Sequence, residues 1–363
     1  MPSPKPRRRW FQFRMSTLLI VVTLSTLPVG YVAWEREQCR RGEAAIKRLD
    51  PDNPNTRLIF QSSFEIPARP TTGRPDWLKY LLGNDDFRTV HFATLTGDSI
   101  TDSELALLTA LPNLHDVIIQ APQVTDEGVS HLPRLKAVES FSFAANKRVT
   151  GEGWEIIGKW HGLREVSFRA CNFCDDDVSK LRPLTNLKSL HLNGTNITDS
   201  GLEGISQLAS LEGINLSLTK VSDSGLRHLA QLANLQWLNL SYTKAAGTGL
   251  KQLSNLPKLE VLNLRDSNVT DNDLAHIAGV KNLKDLDLSD TVITDSGLAH
   301  LRSLRNLESL DLARTNVSDA GLQYLEHLEN LKELCLGETG VTVAGAADLK
   351  KSLPNAYITH WSR

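Results

Sequence analysis

The chain has 363 residues, with 40 Lys and Arg against 42 Asp and Glu and a net charge of −2. That balance excludes a bias towards nucleic acid. Four cysteines are too few for a disulfide framework, and with aromatics at 6% the core must be built from aliphatic residues.

The chain opens on MPSPKPRRRWFQFR, residues 1–14, a basic head carrying Lys5, Arg7, Arg8, Arg9 and Arg14. Residues 15–34, MSTLLIVVTLSTLPVGYVAW, follow without a charge. As a helix this stretch is about 30 Å long, enough to cross a bilayer. Trp10 and Phe11 flank it on one side and Tyr31 and Trp34 close the other, as membrane-interface residues do. A buried soluble helix does not fit beside those arginines. A cleaved leader does not fit PVGYVAWER, where Trp34 and Glu35 interrupt any small-x-small site. The expectation is one uncleaved transmembrane anchor in a single-pass protein. Its N-terminus would be cytoplasmic and the rest of the chain outside, in the periplasm if the source is bacterial. Residues 35–86 then form a linker and N-terminal cap. PDNPNTRL and IPARPTTGRPDW are Pro-rich, and WLKYLLGNDDF reads as a capping helix.

From residue 87 to residue 363 the chain repeats itself. Leu187, Leu211, Leu235, Leu259, Leu283, Leu307 and Leu331 are each 24 residues apart, and each opens the phrase L-x-x-L-x-L-x-x-T, with Ser267 as the one exception at the ninth place. Worn copies precede them at Leu163, around Val138, at Leu114 and at Phe87, with spacings that drift above the common period. The total is about eleven copies and a last fragment, NAYITH from Asn355. The leucines predict a short strand with one buried face. The ninth-place Thr is expected to satisfy backbone groups in the turn after it. The second phrase, as in ITDSGLAHL from Ile293, reads as a helix start, with Thr or Ser as the cap and Asp against the positive helix end. One strand and one helix cannot bury their apolar sides alone, but stacked copies can. The fold class expected is therefore α/β, a right-handed solenoid with a parallel sheet along its inside, preceded by one transmembrane helix.

These phrases resemble the leucine-rich repeat family, and the 24-residue period is similar to its cysteine-containing class, known from F-box proteins. The resemblance implies a horseshoe with a concave sheet, used mostly as a binding scaffold. The basic head and apolar stretch are similar to anchors found on many bacterial repeat proteins. The chain departs from the commoner repeat by carrying Thr rather than Asn at the ninth place.

Motifs for catalysis are absent: no phosphate loop, no H-E-x-x-H, no G-x-S-x-G and no dinucleotide fingerprint. No cofactor or metal is expected, and the ten histidines are scattered. CNFCDDD, from Cys171 to Asp177, invites a redox or metal reading. The repeat register explains it instead, because Cys171 and Cys174 stand where Thr195 and Thr198 stand one turn later. A Cys171–Cys174 disulfide stays open. The N-x-S/T triplets are by-products of the repeat.

Function should lie on the residues between the strand leucines, which point away from the core. At the third, fifth and eighth places these include Trp237, Tyr242, Asn239, Asn263, Asp266, Asp285, Asp287, Asp290, Asp311 and Arg314, with Arg265 beside them. Large aromatics are common interface anchors, and aligned carboxylates call for a basic partner or a cation. The reading is a membrane-anchored, non-catalytic scaffold binding a protein or polymer ligand on its concave face, with a basic protein partner and no nucleic acid. Its oligomeric state is unknown. The alternatives are an F-box-type adaptor of a ubiquitin ligase, which would need a dedicated helical segment before the repeats, and an enzyme using the Asp cluster.

Overall fold

In each turn of the chain the strand is short because both its fourth and sixth residues must enter the core, and the ninth must turn it away. The computed structural model describes residues 56–60 and 90–361, other than 133, 134 and 136. The expected head at 1–14, the anchor at 15–34 and most of the linker lie outside the described residues. Among those described, no helix is long and apolar enough to cross a membrane.

The strands are β1 (Thr56–Phe60), β2 (Val90–Thr96), β3 (Asp116–Gln120), β4 (Ser140–Phe143), β5 (Glu165–Ser167), β6 (Ser189–His191), β7 (Gly213–Asn215), β8 (Trp237–Asn239), β9 (Val261–Asn263), β10 (Asp285–Asp287), β11 (Ser309–Asp311), β12 (Glu333–Cys335) and β13 (Tyr357–Thr359). They form one sheet in sequential order. The strands from β2 to β13 run parallel, and β1 adds to β2 antiparallel as a cover for the first edge. Short helices and helical turns alternate with the strands. This is the architecture of a leucine-rich repeat solenoid.

The register corrects one expectation. Phe92 pairs with Asp116, one full period on, so the first copy begins at the buried Val90 and not at Phe87. Ala93 fills the fourth place and hides the phrase. One turn has a 25-residue step, between Ser140 and Glu165. The extra residue sits in a loop organised by the fully buried Asn146, which holds the ninth place. Its Nδ2 donates to the carbonyls of Ala121 (2.7 Å) and Val124 (2.9 Å), and its Oδ1 accepts from the N–H groups of Arg148 and Val149 (both 2.9 Å).

Elsewhere the ninth-place hydroxyl serves its own turn. Thr195, Thr219, Thr243, Ser267, Thr291 and Thr315 donate to the carbonyl three residues earlier at 2.5–2.7 Å, all of them buried. A second ladder links neighbouring turns just before the first-place leucines. Asn186, Asn234, Asn282, Asn306 and Asn330 each donate from Nδ2 to a carbonyl of the preceding turn.

The helix-start Asp does more than face a dipole. Asp175 accepts from the N–H (2.8 Å) and Oγ1 (2.5 Å) of Thr198, which caps the next helix. Asp271 holds Thr294 and Asp295 holds Ser318 in the same way. The Gly two residues after Asp makes room for this carboxylate. A Cβ on Gly201, Gly225 or Gly321 would stand 2.4 Å from the Oδ1 of the preceding turn's Asp. Where Gly151 and Gly247 replace that Asp, the following turn carries Asp177 and Asp273 in place of Gly. Each of these reaches back to its own cap residue, Cys174 (3.1 Å) or Thr270 (2.9 Å). Every such cap thus receives one carboxylate, from the turn before or from its own helix. The turn that lacks both a cap hydroxyl and the Asp, beginning at Ala246, forms a 3-10 helix over Gly247–Asn255 instead of the α-helix expected.

Candidate functional site

The predicted residues come together. In register across β8 to β11, Trp237 stands beside Val261, Val261 beside Asp285, and Asp285 beside Ser309; in the next row Asn239, Asn263, Asp287 and Asp311 are consecutive. They do not play the same part.

Each residue of the fifth-place row also serves its own turn. Asn239 Oδ1 accepts from the N–H of Ser241 (2.9 Å) and Asn263 Oδ1 from that of Arg265 (3.0 Å). Asp287 Oδ1 takes the N–H of Ser289 (2.9 Å), and Asp311 Oδ1 takes that of Ala313 (2.8 Å). A side chain that tightens its own turn two residues on is an Asx turn, and it accounts for Asn or Asp at this place. Asn263 Nδ2 also donates to Asp287 Oδ2 at 2.8 Å.

Trp237 does not stand up from the sheet. Its indole lies across Gly213 on β7, where a Cβ would be 1.7 Å from Nε1, and its ring centre is 5.2 Å from that of His191 on β6. Half-buried in this way, it makes an apolar floor. Val261 stands beside it in register, and Leu218 and Tyr242 occupy the eighth-place row of the preceding turn and its own; these three have exposures of 38%, 59% and 42%. His191 is a site neighbour that the sequence did not mark. Burial pushes its pKa down, against the pull of Glu165 at 3.6 Å.

The charges divide into paired and unpaired sets. Asp290 lies between Arg265 (3.0 Å) and Arg314 (2.7 Å), so it adds nothing to an acidic field. Burial works against the Arg265 charge, but Asp290, a bond to Tyr242 and Asp287 together raise its pKa. A row along the second place pairs within itself: Lys188 with Glu212 at 2.6 Å, Lys284 with Glu260 at 2.8 Å, Lys332 with Glu308 at 2.5 Å. Asp285 has no such partner. Burial, then the like charges of Asp287, Glu333 and Asp311, raise its pKa. Asp266, on the rim, is exposed.

Nothing on this face assembles a nucleophile with a base, and among the described residues no group of three or more His, Cys, Asp or Glu could hold a metal ion. Cys171 and Cys174 are free thiols. Burial pushes Cys171 up to about 12, which leaves it inert, and Cys174 Sγ is 3.3 Å from Asp177 Oδ2.

Residues 257–317 match the family described as Leucine rich repeat, and residues 184–206 match a second description of the same name. No curated protein matches the chain. Among solved structures, an internalin from Listeria monocytogenes is 21% identical with a TM-score of 0.56, covering 71% of this chain and 70% of its own. A second internalin of that organism, internalin C2, is 24% identical over 52% of this chain and 84% of its own, with a TM-score of 0.42. A leucine-rich repeat protein of Leptospira interrogans is 18% identical over 70% and 80%, with a TM-score of 0.41. The first of these likenesses supports the solenoid fold.

Proposed function

We propose, from a leucine-rich repeat solenoid with this division of its sheet face, that the protein is a non-catalytic scaffold that holds a protein partner of basic character. The partner lies on the concave face over Trp237, Tyr242, Asp266, Asp285 and Asp311. The observation that carries the reading is the unbalanced strip itself. Across β8 to β11 Asp287 and Asp311 each give one oxygen to their own turn and Asp290 is paired with two arginines, whereas Asp285 and Asp266, beside the aromatic floor, have no ion-pair partner among the described residues. The repeats are of the cysteine-containing type, as their 24-residue period suggests.

Residues 15–34 are the membrane anchor in this reading, with residues 1–14 in the cytoplasm and the solenoid outside, in the periplasm of a bacterium. The charge distribution around residues 15–34 supports that orientation. The test is a reporter active only outside the cytoplasm, fused after Arg363. An active, membrane-bound reporter is expected. An inactive one would overturn the orientation, and an active soluble one would overturn the anchor.

A further inference from the structure

We infer that this face takes a polypeptide segment bearing one apolar side chain, seated on the ledge of Leu218, Trp237, Tyr242 and Val261, and a Lys or Arg about 10 Å away over Asp285 and Glu333. The inference rests on the concave-face reading above and specifies its ligand.

The ledge is the first ground. The eighth residue of each turn donates its N–H to the seventh carbonyl of the next: Gly194 to Ser217 at 2.9 Å, Leu218 to Ser241 at 3.0 Å, Tyr242 to Arg265 at 2.8 Å. That bond goes with a positive φ, which Gly194 adopts freely at 71°. Leu218 and Tyr242 hold φ at 56°, as do the other eighth-place residues, Ala145, Ala170, Asp266, Asp290, Arg314 and Glu338 at 48–58°, but only at Leu218 and Tyr242 does this turn present a large apolar or aromatic side chain. Those side chains are 59% and 42% exposed. That exposure is not recovered by burial within the chain, and Gly213 has given up its side chain so that Trp237 can lie flat beside them. A partner's apolar group would bury the exposed part of this surface.

Charge complementarity names the rest of the occupant. Two strands from Trp237, Asp285 faces outward between Val261 and Ser309, and Glu333 follows one strand beyond Ser309. The adjoining carboxylate of Asp290 is already matched by Arg265 and Arg314. A cation therefore belongs over Asp285. Two strand spacings are about 10 Å, the span of roughly three residues of extended chain.

The test titrates the full-length protein in detergent with short labelled peptides that carry Phe and Lys three positions apart. Companion peptides carry Glu for Lys, or Ser for Phe. The first peptide is expected to bind, and each companion at least tenfold more weakly. Leu218→Gly and Tyr242→Gly relieve the strained turns, so each should weaken binding without lowering the melting temperature. Asp285→Asn should abolish the preference for Lys over Glu. Binding that ignores both peptide groups, or no binding of any peptide, overturns the inference. Ser309→Arg obstructs the face as a control. If it leaves peptide binding unchanged, the concave-face reading itself fails. If it removes binding while the ledge and Asp285 variants do not, the face binds but not in this two-part manner.

Discussion

The turns from β6 onward and the turns before it use the same scaffold in two ways. After β6 every step is one identical period, the core is almost wholly leucine and isoleucine, and the ninth-place hydroxyls repeat without a break. Before it, aromatic rings join the aliphatic core: Phe141, Phe143, Trp154, Phe168 and Phe173 are fully buried, with Trp154 edge-on or tilted to its neighbours at centroid distances of 4.6–6.0 Å. The one 25-residue step and the buried Asn146 fall in that part. The difference shows that period is a property of uniform filling. Identical leucines allow identical turns, whereas a large ring spanning two turns needs a loop of its own shape. The regular part is also where the sheet face carries the ledge and the unpaired acids, so regularity in the core coexists with specialisation outside.

Variants sharpen this contrast. The largest effect is expected in the aromatic part. Trp154→Ala should destabilise it by roughly 3–5 kcal/mol, with hydrogen-exchange protection lost between β4 and β6 and largely kept beyond β9. Protection lost evenly along the chain would mean that the two parts fold as one.

Next is the link between turns. Gly297→Ala puts a Cβ 2.5 Å from Asp271 Oδ1, at a cost of about 1–3 kcal/mol. In an Asp271→Ala background the same change should cost less, because the tightest contact is gone and only the flexible ends of Leu274 and Ile293 remain close. Additive effects in denaturant unfolding would refute the exchange of carboxylates between turns.

Thr291→Val removes the bond to the Leu288 carbonyl and should cost about 1 kcal/mol. A change near zero would reduce the hydroxyl ladder to a packing preference.

Acid gives the smallest and most distributed effect. Burial opposes ionisation of Asp199, but hydrogen bonds from Ser222, Ser224 and Gly225 outweigh it and hold its pKa below the ordinary carboxylate value; bonds from the Thr342 N–H and hydroxyl do the same for Asp319. Folded-state values below the unfolded ones mean that this stabilisation is full above the ordinary carboxylate range and is lost as pH falls through the lowered values. Asp199→Asn should flatten the acid limb of a stability–pH curve. An unchanged limb would assign acid sensitivity to other groups.

Much of this is legible in the chain. The leucine period yields the strands, their parallel order and the core, and the ninth-place Thr is a backbone partner as its position suggests. The first copy is misplaced at Phe87 because Ala93 is too small to signal a core position. Asp175 reads as a dipole partner because single-turn reasoning cannot see a bond to Thr198 in the next turn. The signal is present in the alternation of Asp and Gly: Gly151 followed by Asp177, and Gly247 followed by Asp273, against Asp followed by Gly elsewhere. The fifth-place Asn and Asp read as free groups, although an acceptor two residues before a buried turn has a local use. That Trp237 lies down rather than stands can be read only by setting it beside Gly213, its neighbour across the sheet and one period back in the chain.

The most direct measurement compares the two regions as binding surfaces. A partner captured by photo-crosslinking from Ser309 would be titrated against the full-length chain and two charge-reversed double variants, Trp237→Ala with Asp285→Lys and Glu139→Lys with Glu165→Lys. The account predicts that the first loses affinity by a factor of 100 or more, about 2.7 kcal/mol, and that the second changes it less than threefold. Equal losses in both, or unchanged affinity in the first, would contradict a binding face centred on β8 to β11.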